Sequence, residues 1–430
     1  MTAHTWLFLL APALALSGEP AATVIRDATV IDPGSGLHAP HWSVLMSMGT
    51  IQALGVIAEP PGAVVISGTG RFLIPGLWDM HVHLWNQRNL PELYIAFGVT
   101  GVRDMGSSFD RTTALRRDIE DGKTVGPHIL TSGPGLDGRS GDELRLPILT
   151  VSTPDQARRA VDEVHDMGAD FVKVFTSLDL EAYIALLERA RQLRIPVVGH
   201  LPTKVRVEDA IELKQASIEH LFGLERVREA RLRKAFAAAA GNGVRFTPTL
   251  AMHKRTLLQG AEAMAADPRI SLIPPELRKD WGDPVKEWTK AKADFKETAP
   301  RTFVHYQETT RWLKESGVAI LAGSDTGDPF TIPGATLLDE LALLVEAGLT
   351  PMEALRAATS EAAKFNRLEG MFGSIGLGMV ADVVLLEGDP VADIGNVRRL
   401  ANVCWRGRCF DGKGIEELKR SYAVHSPMHP

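Results

Sequence analysis

The residues of this 430-residue chain that could do chemistry begin with Pro75-Gly76-Leu77-Trp78-Asp79-Met80-His81-Val82-His83-Leu84. In a strand, side chains two apart point to the same face, so His81 and His83 can reach one metal ion. On a helix they would diverge by about 200°. Taken alone, the pair also fits two ordinary histidines. Other segments change that reading. Val172-Lys173-Val174 sets a lysine inside an apolar strand, where an unpaired ammonium is costly. Ile195 to His200 ends in a histidine, as does Ser217-Ile218-Glu219-His220. Val318 to Asp325 ends in an aspartate after an apolar run and a Gly-Ser step. Each of these singly fits a hydrogen-bonded core residue. Together they place imidazole and carboxylate donors at the ends of separate strands, a donor set that suits zinc, with manganese, cobalt or iron as alternatives.

Such residues meet only if the strands carrying them share a mouth. Strand-like segments recur at Phe72 to His83, Val99 to Asp104, His128 to Ser132, Phe171 to Phe175, Val197 to His200, Ser217 to Leu221, Val244 to Pro248 and Val318 to Asp325. Helical stretches with apolar residues at three- and four-residue spacing intervene, such as Pro154 to Met167, Leu180 to Leu193 and Glu225 to Ala240. This alternation predicts an α/β fold, a (β/α)8 TIM-type barrel over residues 74–375, with an open doubly wound sheet as the alternative. A long polar helical insertion, about 253–313, interrupts the rhythm and reads either as a lid or as a solvated appendage. Residues 23–73 and 376–412 share short β-branched strands and turns, which predicts one small β-sandwich built from both chain ends. Residues 413–430 form a tail.

Bulk properties narrow the class. A hydrophobic fraction of 45% with 23% charged residues is that of a core-forming globular protein. The net charge of -6, without a basic stripe, gives no footprint for nucleic acid. Residues 1–22 read as a signal peptide, with the apolar core Trp6 to Leu16 and small residues from Ser17 to Ala22. Its leading segment carries no Lys or Arg. This predicts a periplasmic or secreted protein with no transmembrane segment in the mature chain. Of the two cysteines, Cys404 and Cys409 oppose each other if Arg406-Gly407 forms a two-residue turn, so they are either a disulfide suited to export or two free thiols.

The set formed by the His-x-His strand, Phe171-Val172-Lys173-Val174-Phe175, Gly199-His200-Leu201-Pro202, Ser217-Ile218-Glu219-His220, Ala322-Gly323-Ser324-Asp325-Thr326 and Gly373 to Asp382 resembles the amidohydrolase superfamily, in its imidazolonepropionase and prolidase-like branch. The resemblance spans about residues 22–412 and implies two divalent metal ions. His81, His83 and Asp325 would hold the first and His200 and His220 the second. Lys173, carboxylated on its amine to N6-carboxylysine, would bridge them. It also implies a hydroxide nucleophile, with Asp325 as the catalytic proton carrier, and cleavage of an amide or peptide-like bond in a small-molecule or dipeptide-like substrate. Relatives of this kind often assemble as homo-oligomers.

Substrate contacts are read more loosely. Arg103 could bind a carboxylate bidentately or pair with a neighbouring acid as scaffold, and the scaffold role is favoured. His128 and Thr247 are further candidates with structural alternatives. Leu221-Phe222-Gly223-Leu224 stands where prolidase-like relatives usually carry a Gly and a Tyr, so Phe222 is the candidate contact and dipeptidase specificity does not carry over directly. The competing readings are a mononuclear cyclic amidase or deaminase, a lactone or ester hydrolase, and a non-catalytic binding protein. Lys173 argues against the first, and the filled ligand positions argue against the last.

Overall fold

The computed structural model describes residues 22–84, 90–139, 146–279, 281, 285–286 and 297–421. The expected leader over 1–22, except Ala22, lies outside the described residues, as do part of the 253–313 insertion and the end of the tail. The strands, in chain order, are β1 (Thr23–Asp32), β2 (Leu37–Ser47), β3 (Thr50–Gly55), β4 (Val64–Ser67), β5 (Phe72–Pro75), β6 (Leu77–Val82), β7 (Val99–Asp104), β8 (His128–Thr131), β9 (Gly135–Asp137), β10 (Ile148–Thr150), β11 (Val172–Val174), β12 (Val197–Gly199), β13 (Ser217–Glu219), β14 (Arg245–Thr247), β15 (Val383–Leu386), β16 (Leu400–Trp405) and β17 (Arg408–Phe410).

Both chain ends contribute to one eight-stranded sheet, in the order β17-β16-β15-β5-β1-β2-β3 with β4 beside β1. Its seam is the antiparallel pairing of β15 with β5, Leu385 opposite Leu73. Period-two alternation gives this sheet two apolar faces. Val383, Leu385 and Cys404 share one core with Ile25, Val44, Met46 and Leu73. Val384, Leu386, Val403 and Trp405 point the other way, into the large core with Ile74 and Tyr94. Ile51 N donates to Met379 O at 2.8 Å and Ala381 N to Gly49 O at 2.9 Å, so the sheet curls back on itself. In the β16–β17 hairpin, Arg406 and Gly407 both take positive φ, 49° and 80°, as a tight two-residue turn requires. Cys404 faces Cys409 there, and the two are joined in a disulfide.

The middle of the chain is parallel. β6-β7-β8 form one sheet and β10-β9-β11-β12-β13-β14 another, with every neighbouring pair parallel. Helices connect them. Pro154–Met167 starts where the Thr153 side chain accepts from Gln156 N and stops at left-handed Gly168. It buries Ala157, Ala160, Val161 and Val164, the three- and four-residue spacing of one face. The arrangement is a TIM-barrel-like α/β fold.

Several elements differ from expectation. Phe72 to His83 is not one strand, because Gly76 breaks it by donating its N–H to Asp382 O at 2.8 Å, leaving β5 in the end sheet and β6 in the parallel one. Val318 to Asp325 is extended, but only Ile320 bridges regularly, to Phe246. Its other backbone bonds are divided between Phe246 O (from Leu321 N, 2.9 Å), Met80 N (to Ala322 O, 2.9 Å) and Ala357 O (from Ala322 N, 3.1 Å). Instead of the stretch Glu225 to Ala240, the helix runs Glu229–Asn242, preceded by a 3-10 turn at Leu224–Arg226. The short strands β9 and β10 were not foreseen. The insertion is helical in pieces, at Leu250–Leu258, Ala261–Ala265, Pro268–Leu272, Pro275–Lys279 and Ala299–Glu315. Among the described residues no helix is long and apolar enough to cross a membrane.

Trp78 is buried with its ring directly over Gly101 on the neighbouring strand, and a Cβ there would meet Cε2 at 2.2 Å. Gly101→Ala is expected to destabilise the fold by roughly 1–3 kcal/mol. Thermal unfolding checks this, and an unchanged midpoint would show that the indole can move aside.

Candidate functional site

β6 carries Asp79 and His81, His83 directly follows it, and all three are buried. Asp325 meets the two histidines: its Oδ1 lies 3.3 Å from His81 Nε2 and 3.1 Å from His83 Nε2. The ligand atoms of these three residues lie within 4.8 Å of one another. His81 packs against His220 with ring centroids 4.6 Å apart, and His220 against His200 at 4.8 Å. Lys173 projects from β11 with no exposed surface, and its Nζ has no hydrogen-bond partner. Phe175 lies beneath that amine at 4.9 Å.

His200 and His220 directly follow β12 and β13, and backbone bonds hold both. His220 and Asp325 adopt left-handed φ, 62° and 56°, uncommon for such residues and concentrated at functional positions. His220 N donates to Thr247 O and Asp325 N to His81 O, both at 2.8 Å, so neighbouring strands enforce these turns. Gly323 allows the close approach: a Cβ there would meet Thr247 Cγ2 at 2.6 Å and His81 Cβ at 2.7 Å.

The ring nitrogens are ordered in the way metal ligation needs. His81 Nδ1 donates to Glu219 Oε2 at 3.0 Å. The Thr249 hydroxyl donates to Pro248 O at 2.8 Å, so it can only accept from His220 Nδ1, 2.7 Å away. His200 Nδ1 lies 2.7 Å from Thr176 Oγ1. In His81 and His220 this leaves Nε2 with its lone pair, and that of His81 has no hydrogen-bond partner among the described residues. Burial, reinforced for His81 and His200 by the Lys173 amine and for His220 by the other imidazoles, pushes all three well below the ordinary histidine range. Neutral imidazole is the ligating form. Burial likewise pulls Lys173 down to about 8. Burial would raise Asp325, but the His81 and His83 imidazoles and the Lys173 amine outweigh it and hold the carboxyl at about 2.

The remaining sequence candidates separate. Arg103 is fully buried, donating to Met80 O (2.7 Å), Ser217 Oγ (3.2 Å) and Glu219 Oε1 (2.7 Å). It is scaffold, and its place among the substrate contacts is withdrawn because every reach of the guanidinium is taken. His128 is withdrawn too. It opens β8 at the end away from the metal ligands, where its Nε2 pairs with Asp382 at 3.0 Å and its ring meets Phe372. Thr247 is buried beside Gly323 and His81 with its hydroxyl unpartnered. Phe222 is 43% exposed and touches His220 at 5.0 Å and His200 at 6.0 Å.

Three positioning groups were overlooked. Asp79 accepts from Ser324 N (2.9 Å), Ser324 Oγ (2.5 Å) and His81 N (3.3 Å), tying the Asp325 segment to β6. Its two-residue spacing from His81 was the available signal. Glu219, adjacent to a ligand, joins Arg103, Ser217 and His81. His253, in the helix Leu250–Leu258, is 1% exposed and stands 6.3 Å from His220 and 5.2 Å from Phe222, with no sequence pattern to mark it.

Glu219→Gln removes the buried counter-charge of Arg103 and leaves one accepting oxygen where Arg103 and His81 each use their own. The expected cost is about 3–5 kcal/mol in stability and about 10–100-fold in metal affinity. Unfolding and zinc titration check both, and a variant with native zinc affinity would remove Glu219 from the site.

Comparison with known proteins agrees with this geometry. The ochratoxinase of Aspergillus niger is 26% identical over 473 aligned positions, covering 94% of this chain and 90% of that one. Among solved structures, a bottromycin amidohydrolase superposes with a TM-score of 0.76 at 24% identity, covering 94% of this chain and 90% of that one. A Xaa-Pro dipeptidase with methionine bound in its active site gives 0.70 at 24%, covering 91% and 100%. The model of the amidohydrolase family matches residues 72–409, a span running from the strand of His81 and His83 past Asp325 to the returning end sheet, and the chain belongs to that family.

Proposed function

We propose that this protein is a metal-dependent hydrolase of an amide or peptide-like C–N bond, working with two divalent ions, zinc by the donor chemistry. The observation that carries the reading is the convergence of neutral imidazoles with an unpartnered, buried Lys173 amine. His81, His83 and Asp325 would hold one ion, and His200 and His220 the other. Addition of the neutral Lys173 amine to CO₂, with loss of a proton, would give a carbamate that supplies an anionic oxygen ligand to the centre. Carboxylation also removes the cost of a bare ammonium there. When bound, the ions supply Lewis acidity and lower the pKa of a coordinated water.

The chain's own groups do the rest. Asp325 directs Oδ1 at His81 and His83, which leaves Oδ2 to take a proton from the attacking water and pass it to the departing amine. His200 and His220 would serve as ligands and transfer no proton. The bonds from Ala322 to Met80 and from Leu321 to Phe246 are read as closing the eight-stranded barrel around this centre. The names of the relatives, an amidohydrolase and a dipeptidase, support C–N chemistry. Export to the periplasm or medium remains part of the proposal, supported by the Cys404–Cys409 disulfide.

A one-ion reading draws on the fact that His81, His83 and Asp325 alone already bring three ligand atoms together. Metal counting decides between the two. Purified with zinc and bicarbonate, wild type is expected to hold about two ions per chain and Lys173→Ala fewer. One ion in both would make Lys173 a core residue and the centre mononuclear.

Asp325→Asn is expected to keep part of the metal and to lower kcat by about 100-fold or more against dipeptides or N-acyl amino acids. Near-native turnover in that variant would remove Asp325 as the proton carrier.

A further inference from the structure

His253 is not among the metal ligands proposed above, yet it is built into the edge of the same centre. The residue is 1% exposed, and among the described residues neither Nδ1 nor Nε2 has a hydrogen-bond partner. Buried polar atoms in folded proteins are nearly always paired, so two orphan nitrogens on one ring call for a missing partner. The ring is held in place from outside. Tyr306, from the helix Ala299–Glu315, stacks on it at 4.2 Å and anchors its own hydroxyl on Glu225 Oε2 at 3.3 Å. The helix of His253, Leu250–Leu258, is fixed at its start, where the buried Glu340 carboxyl accepts from Ala251 N at 2.6 Å.

Inward, the ring meets Phe222 and His220. The Phe222 ring meets those of His200, His220 and His253, and the residue is 43% exposed. A part-exposed aromatic ring thus lies beside a buried imidazole that can both donate and accept.

We propose that Phe222 and His253 form a substrate subsite for a planar apolar group that carries a hydrogen-bonding atom at its edge, such as the side chain and flanking carbonyl of an aromatic amino-acid residue. The planar group lies on Phe222. The polar atom satisfies His253. The subsite rests on the hydrolase reading and narrows its substrate class to amides with an aromatic flank. Tyr306 and Glu340 position the ring and touch no substrate.

The test uses the zinc-loaded full chain and the matched pair N-acetyl-L-phenylalanine and N-acetyl-L-alanine. With ¹⁵N-labelled histidine, the His253 ring signals, assigned by their loss in His253→Asn, are expected to shift on adding the phenylalanine compound. Phe222→Ala is expected to raise the half-saturating concentration of that compound about tenfold and to leave the alanine compound within about twofold. His253→Gln, which restores one donor and one acceptor, is expected to recover part of the affinity lost in His253→Phe. Unmoved His253 signals, equal effects on both compounds, or no binding of the aromatic one would each overturn the subsite. A wild-type chain that holds no zinc would instead overturn the hydrolase reading beneath it, so the two failures are distinct.

Discussion

An amine removed from water without a partner is the constraint around which this molecule is organised. Lys173 sits in a barrel-like interior where an ammonium would be strongly disfavoured. The acids that raise its proton affinity are Glu219 and Asp325. Neither is at its disposal, because Glu219 is committed to Arg103 and His81, and Asp325 to the two histidines of β6. The interior therefore pulls the amine down to about 8 and holds His81, His200 and His220 well below the ordinary histidine range. A cluster of that kind repels protons and welcomes a divalent cation.

Around this centre buried polar links tie the elements together. Asp79 binds the last extended segment to β6, Arg103 reaches from β7 across to β13, and Thr249 fixes the ring of His220 from the loop after β14. The first two links join segments more than a hundred residues apart in the chain. Two of the proposed ligands, His220 and Asp325, are held in left-handed backbone, a conformation that costs energy and persists only where surrounding bonds over-determine it.

Much of this was legible in the residues. The parallel strands announced themselves by alternation with helices, and His81, His83, Lys173, His200, His220 and Asp325 stood out because polar residues ending apolar strands are rare. Gly76 was readable as a glycine but not as the point where one strand becomes two, since the bond to Asp382 comes from three hundred residues away. The last strand lost its regularity because its amides serve three neighbours, which no local pattern encodes. Arg103 illustrates the limit differently: its type allowed both substrate and scaffold, and only the position of Glu219 decides. His253 left no trace at all, because an ordinary helix carries it and its place is set by Tyr306 and Phe222.

The seam between β5 and β15 has a consequence for how the molecule comes into being. β5 is finished early in synthesis, but the strand that covers its edge is made only after the whole parallel domain. Until then β5 presents an open row of amides and carbonyls next to apolar Leu73 and Ile74, the kind of edge on which nascent chains associate. Loop closure over such a separation is slow. Yield in the cell would thus be governed by the lifetime of this uncovered edge during translation, and a helper that shields it would matter more than the stability of the finished fold.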